Sequence, residues 1–156
     1  MTMPTTNSAA ADCQDEAAGA PGAVDVLVVD PDGAAHRERW TAGPDGSLLA
    51  QLQTAVGGLV DVVALADHLD LWVNDEGLYL CEPNPVATLL TLALGRNAPV
   101  YGPAVFTGGA DPDGSTRGLH ARTCAQLMTA AELATADPTR LAAVTVDAVL
   151  FASRYR

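Results

Sequence analysis

Two Asp-Pro-Asp-Gly stretches, starting at Asp30 and at Asp111, are the first places in this chain where residue type and spacing invite chemistry. Carboxylates close together beside a glycine suggest a calcium loop. Such a loop needs Gly at its sixth position and a carboxylate at its twelfth. Counted from Asp30, the sixth residue is Ala35; counted from Asp111, the sixth is Thr116 and the twelfth Arg122. Both stretches fail the test and read as turns, because Pro pre-sets φ and Gly accepts a positive one. Zinc asks for about four N or S ligands in clustered pairs. His36, His68 and His120 are isolated from one another in the sequence, so no metal and no cofactor are expected.

Nucleophiles fare no better. A hydrolase elbow is Gly-x-Ser-x-Gly, and Gly114-Ser115-Thr116-Arg117-Gly118 has the wrong spacing. Cys81 ends an apolar run with no His near it in sequence, as a structural cysteine would. Gly-x-Gly-x-x-Gly and Walker A patterns are absent, and no catalytic constellation is found. Two features remain for binding an anion. The backbone N–H groups of Thr107-Gly108-Gly109 form a nest in outline, with Arg117 nearby in the sequence. The free N–H groups of the helix that starts after Asn84 offer another.

The elements that must position these residues follow from pattern. Met1 to Ala23 is rich in Ala, Thr, Asp, Gly and Pro without apolar periodicity, and is expected to be a disordered tail ahead of one domain spanning residues 24–156. Val26-Leu27-Val28-Val29 and the segment Ala35 to Thr41 form a hairpin about the first Asp-Pro-Asp-Gly turn. Ser47 caps a helix from Leu48 to Val56, which Gly57-Gly58 ends in a left-handed cap. Leu59 to Leu65 and Leu69 to Asn74 are strands, and Asn74-Asp75-Glu76-Gly77 turns the chain into a further strand at Leu78 to Leu80. Asn84 followed by Pro85 is the clearest helix start, with Gly95 as the stop. Pro99 to Thr107 is a strand, placed at an edge because Pro103 cannot donate to a ladder. Ala121 to Thr135 is a helix halted by Asp137-Pro138. Leu141 to Tyr155 fits strand or helix. Without a βαβαβ alternation, the expected class is α+β: a mostly antiparallel sheet with helices packed on one face.

Composition narrows the partners. The chain has 156 residues, 49% of them apolar, enough for one core without staples. The net charge is −11, yet only 17% of residues are charged, and all eight bases are Arg. An ordinary domain is about 25% charged, so the acidity reflects missing Lys more than surplus acid. It disfavours direct binding to nucleic acid or to an anionic membrane. Three cysteines, far apart and odd in number, point to a reduced, cytoplasmic setting. The N-terminus lacks the basic and apolar regions of a signal peptide, and the longest apolar run, Val86 to Leu94, is too short to span a bilayer.

Several segments in order resemble one family. They are Leu52 to Val63, then Leu71-Trp72-Val73-Asn74-Asp75-Glu76-Gly77, then Pro83-Asn84-Pro85-Val86-Ala87-Thr88, then Val100-Tyr101-Gly102-Pro103-Ala104-Val105-Phe106-Thr107-Gly108. Over about Val24 to Gly118 this is similar to the domain of unknown function 3846, a family of small proteins from actinobacteria, phages and mobile elements. The resemblance implies that setting, and no activity. Its polar members also read as caps and turns. If the chain has a pocket, its candidate ligand-binding residues are Asn74, Asn84, Thr88, Thr107, Gly108 and Arg117.

Three functions are weighed. The first is a small acidic, soluble, non-catalytic binding or accessory protein of phage or mobile-element origin, meeting another protein or a small ligand. The second is an acidic DNA mimic that inhibits a nucleic-acid enzyme. The third is a binder of a small anionic ligand. Self-association into a homo-oligomer fits any of them.

Overall fold

The structure is a computed structural model that describes residues 22–156, so the expected tail lies, but for its last two residues, outside the described ones. Strand β1 (Ala23–Val29) opens two residues before Asp25. It is followed by β2 (Ala35–Thr41), α1 (Leu49–Val56), β3 (Val60–Ala66), β4 (Leu69–Asn74), α2 (Gly77–Leu80), α3 (Pro85–Ala93), β5 (Ala104–Thr107), α4 (Ala121–Thr135) and α5 (Pro138–Ala152). The five strands form one sheet in the order β2-β1-β5-β4-β3, every neighbour antiparallel.

The sheet's middle follows from β1, which is apolar on both faces. Val26 and Val28 point to one side, where Leu48, Leu52 and Val56 of α1 and its approach meet them with Val105 of β5. Leu27 and Val29 point to the other, against Val86, Ala87 and Leu90 of α3 and Cys124, Leu127 and Ala131 of α4. Alternation on a strand sends neighbours to opposite faces, so an unbroken apolar run needs cover on both. Each fully buried Val, Leu or Phe stabilises the fold by about 1.5–3 kcal/mol. The α+β class with an antiparallel sheet is as expected. The helices are not all on one face, because α1 covers the face that α3 and α4 do not.

Local signals hold where the cause is local. The β1–β2 turn closes with Gly33 N donating to Asp30 O at 2.9 Å, while Asp32 Oδ1 accepts from Ala34 N at 2.9 Å. Ser47 Oγ accepts from Leu49 N at 3.0 Å at the start of α1, and Gly57 ends that helix at φ +79°.

Two further expectations are corrected, and one choice left open is resolved. Leu78 to Leu80 is not a strand but a single helical turn, with Tyr79 N and Leu80 N both donating to Glu76 O at 3.0 Å. The reason is topological: β4 already has β3 on one side and β5 on the other, so no edge is free for a hairpin partner. Pro99 to Thr107 is not an edge strand. Only Ala104–Thr107 enters the sheet, at its centre, and Pro103 stands just ahead of the ladder, where its missing N–H costs nothing. The C-terminal stretch is a helix: Asp137 Oδ1 accepts from Arg140 N at 3.1 Å, Pro138 takes the first turn, and this start overrides the strand preference of Val144-Thr145-Val146. This last helix packs on α3 and α4 rather than on the sheet.

Candidate functional site

Asn84 is fully buried, and its whole side chain is engaged. Oδ1 accepts from Ala87 N at 3.0 Å and caps α3, while Nδ2 donates to Val29 O at 2.9 Å and to Gly102 O at 2.8 Å. One side chain therefore joins a helix start, the end of β1 and the segment leading to β5. Thr88, one turn on, donates to Asn84 O at 2.8 Å and accepts from Val100 N at 3.0 Å. The N–H groups proposed for an anion at this helix start are closed over by the protein's own chain.

Asn74 serves a different junction. Its Nδ2 donates to Val56 O at 3.2 Å, holding the last turn of α1, and its Oδ1 accepts from Glu76 N at 2.8 Å. Thr107 is fully buried, and its Oγ1 accepts from Trp72 Nε1 at 2.9 Å. Asn74, the bonded pair Asn84 and Thr88, and Thr107 thus sit at three separate structural joints. The structure gathers none of them around a common opening.

Gly108 and Arg117 do come together. Gly108 N donates to Arg117 O and Arg117 N to Gly109 O, each at 2.8 Å, so the central N–H of the outlined nest is taken up by its own loop. The approach is so close that a Cβ on Gly108 would stand 2.0 Å from Gly118 O. Both residues line a cleft of about 580 Å³ with Asp25, Arg39, His68, His120 and Thr123. Each arginine here has an acidic partner, with Asp25 shared between two of them. Asp25 accepts from Arg37 at 2.8 Å and lies 3.3 Å from Arg39, and Arg117 is bonded to Asp111. His120 Nδ1 accepts from Arg122 N at 3.2 Å and caps α4. The lining exposes more apolar than polar surface, and Arg39 and Arg117 each have an acidic partner.

Cys81 lies with Leu78 and Tyr101 beneath Ala148 and Ala152 of α5. Burial pushes its thiol up, and Arg156 offsets this only in part, so it stays a protonated thiol and a poor nucleophile. The Tyr101 phenol is raised for the same reason, and it donates to Ala148 O at 2.6 Å, pinning α5 to the body. Among the described residues, no group of three or more His, Cys, Asp or Glu is placed to hold a metal ion. None of their helices is long and apolar enough to cross a membrane.

Pattern reasoning missed the outer face of α5. The helix buries only Ala148 and Ala152, both small, and turns Val146, Val149 and Leu150 outward at 53–56% exposure. Tyr155, just past it, and Leu133 on α4 are exposed as well. The signal was present as alanines at i and i+4 opposite a bulky apolar row, but assigning it required knowing that this stretch is a helix.

The fold and these sites define a small α+β module, built on one antiparallel sheet covered on both faces, with polar residues turned inward as braces. It belongs to the family described as "Domain of unknown function (DUF3846)", whose model matches residues 24–132. Helix α5 falls wholly outside that match. No curated protein and no solved structure matches the chain.

Proposed function

We propose that the chain is a non-catalytic binding module, an accessory protein that meets a protein partner through the outer face of α5. One observation carries this. A surface helix ordinarily sets its apolar stripe against the core and its polar face to water, and α5 goes beyond this: besides the inward stripe of Ala148, Ala152 and the half-buried Leu141, Val144 and Phe151, it exposes Val146, Val149 and Leu150 on its outer face. Exposed apolar surface of this kind marks an interaction site, and helix-in-groove docking reads residues at i, i+3 and i+4. The phage or mobile-element setting carried by the family resemblance suits an accessory role.

The other two functions have less support. The cations that would hold a small anion, Arg39 and Arg117, each have an acidic partner. Several acids that a DNA mimic would array as phosphates are busy as turn caps. Asp32, Asp45 and Asp113 each accept from the backbone N–H two residues on.

The test is a pair of full-length proteins, the natural chain and Val146→Asp with Leu150→Asp, compared by native mass spectrometry and by cross-linked capture from the source cells. The natural chain should hold a stoichiometric partner that the double variant loses at unchanged melting temperature. Equal capture by both would end the proposal.

A further inference from the structure

Helix α5 sorts the residues of its outer face by size along its length. Thr139, Ala142 and Ala143 occupy the first half, Val146, Val149 and Leu150 the second, and all six are exposed. Residues three and four apart lie on one side of a helix, so Thr139, Ala143, Val146 and Leu150 make one ridge, smooth at its start and bulky at its end. Ala142 and Val149 flank the ridge on one side. Arg140 and Asp147 flank it on the other, both exposed, and Arg154 follows just past the helix end. Within each flank the spacing is seven residues, nearly two turns, so each flank runs in line with the ridge.

The charged flank does not serve its own helix. Pairs that do so stand three or four residues apart, whereas seven residues span about 10.5 Å, too far for an ion pair. Among the described residues, neither Arg140 nor Asp147 has an ion-pair partner. A second copy of α5 laid antiparallel against the first answers the size pattern and the charge pattern together. Thr139 then meets Leu150 of the second copy, Ala143 meets Val146, Ala142 meets Val149 and Arg140 meets Asp147, each contact made twice about a two-fold axis. Small side chains sit against large ones as knobs in holes, and opposite charges face across the seam. A parallel pair would set bulk on bulk and turn the charged flank against the apolar one. Sliding the antiparallel copies by two turns would bring Asp147 against Asp147.

We infer that the partner of α5 is a second copy of this chain, docked through an antiparallel α5–α5 pair. This rests on the outer face of α5 being a docking surface, and it names what docks there. A face that meets its own copy about a two-fold axis must be complementary to itself, and this face is so in size and in charge. One helix against one helix is a small interface, so the dimer is reversible and its population rises with concentration.

The experiment is sedimentation equilibrium of the full chain at low salt, from low micromolar to near-millimolar concentration. The natural chain should fit a monomer–dimer equilibrium. Arg140→Asp and Asp147→Arg should each weaken the dimer by about tenfold, because each puts like charges into both symmetric contacts. The two changes combined in one chain should restore it, a rescue that a general surface effect would not give. Arg154→Asp should leave the constant unchanged, since Arg154 faces no charge in this register. All three side chains are exposed, and circular dichroism at low concentration reports that the variants remain folded. Monomers at every concentration, dimers that survive Val146→Asp with Leu150→Asp, or a double reversal that fails to restore what the single ones remove would overturn the proposal. A monomeric chain that still captures a different protein through Val146 and Leu150 keeps the docking role of α5 and removes only the second copy. Loss of capture as well removes both.

Discussion

The sheet body and helix α5 treat their side chains in opposite ways. In the body, polar side chains are drawn inside and bonded there: Asn84 and Thr88 to backbone, and Thr107 to the Trp72 indole, hold the joints between elements. In α5, bulky apolar side chains are left outside, while Ala148, Ala152 and Leu141 and the Tyr101 hydroxyl bond hold the helix to the body. The family match covers the first and stops before the second. The contrast teaches that in this molecule a polar residue in a recognisable motif is a brace, whereas an apolar residue outside the motifs is the candidate point of contact.

That contrast breaks most visibly at Asn84. Asn84→Ala takes a donor from Val29 O and from Gly102 O in the interior and removes the α3 cap. At roughly 1–3 kcal/mol for each deprived acceptor and about 1 for the cap, the loss should reach about 3 kcal/mol or more, read by urea unfolding. A near-unchanged midpoint would mean that Asn84 is not a brace. Gly108→Ala should cost about 1–3 kcal/mol, since the new methyl cannot enter beside Gly118 O without the loop shifting. Thr107→Val strands the Trp72 indole N–H and should cost about 1–2 kcal/mol, with a changed Trp72 emission as its signature. On α5, Val149→Ser should change stability by no more than about 0.5 kcal/mol, as surface substitutions do, while still weakening partner capture. A large destabilisation there would show that the outer face is internal to the fold.

The smallest effect is a pH dependence of opposite sign at two acids. Asp113 is lowered from its ordinary value mainly by the hydrogen bond from Ser115 N. Its contribution is present above the unfolded-state value and is lost as pH falls through the lower folded one. Asp70 is raised by burial, so ionising it opposes folding at neutral pH, and that penalty lifts as pH falls through its raised value. Asp70→Asn should therefore be neutral to slightly stabilising at pH 7 and should converge with the natural chain in acid. Asp113→Asn should be slightly destabilising at pH 7 and should also converge in acid. Thermal melts across pH 3–7 separate the two.

What was legible in the sequence divides along the range of the forces involved. Asn84-Pro85 and Gly57 announce helix ends through interactions within a few residues, and each lies where the pattern places it, whereas Ser47 stands one residue ahead of the N-cap, Leu48, and its Oγ accepts from Leu49 N. The place of β5 was not legible, because its neighbours are set by strands far away in the chain, and Pro103 argued for an edge until the strand proved to begin after it. The candidate site residues were chosen for polarity, and polarity is equally the mark of a cap. Only the burial of Asn84 and Thr107, invisible in sequence, tells the two apart.

The position of β5 also governs how the chain is made. The β1–β2 and β3–β4 hairpins each close locally, yet no ladder joins them except through the four residues Ala104–Thr107. Until those residues emerge from the ribosome, two ribbons wait with their inner edges bare, and bare edges pair with whatever strand arrives first. Synthesis therefore passes through a window, closed by a single late insertion, in which the nascent protein is most open to aggregation and to capture by chaperones.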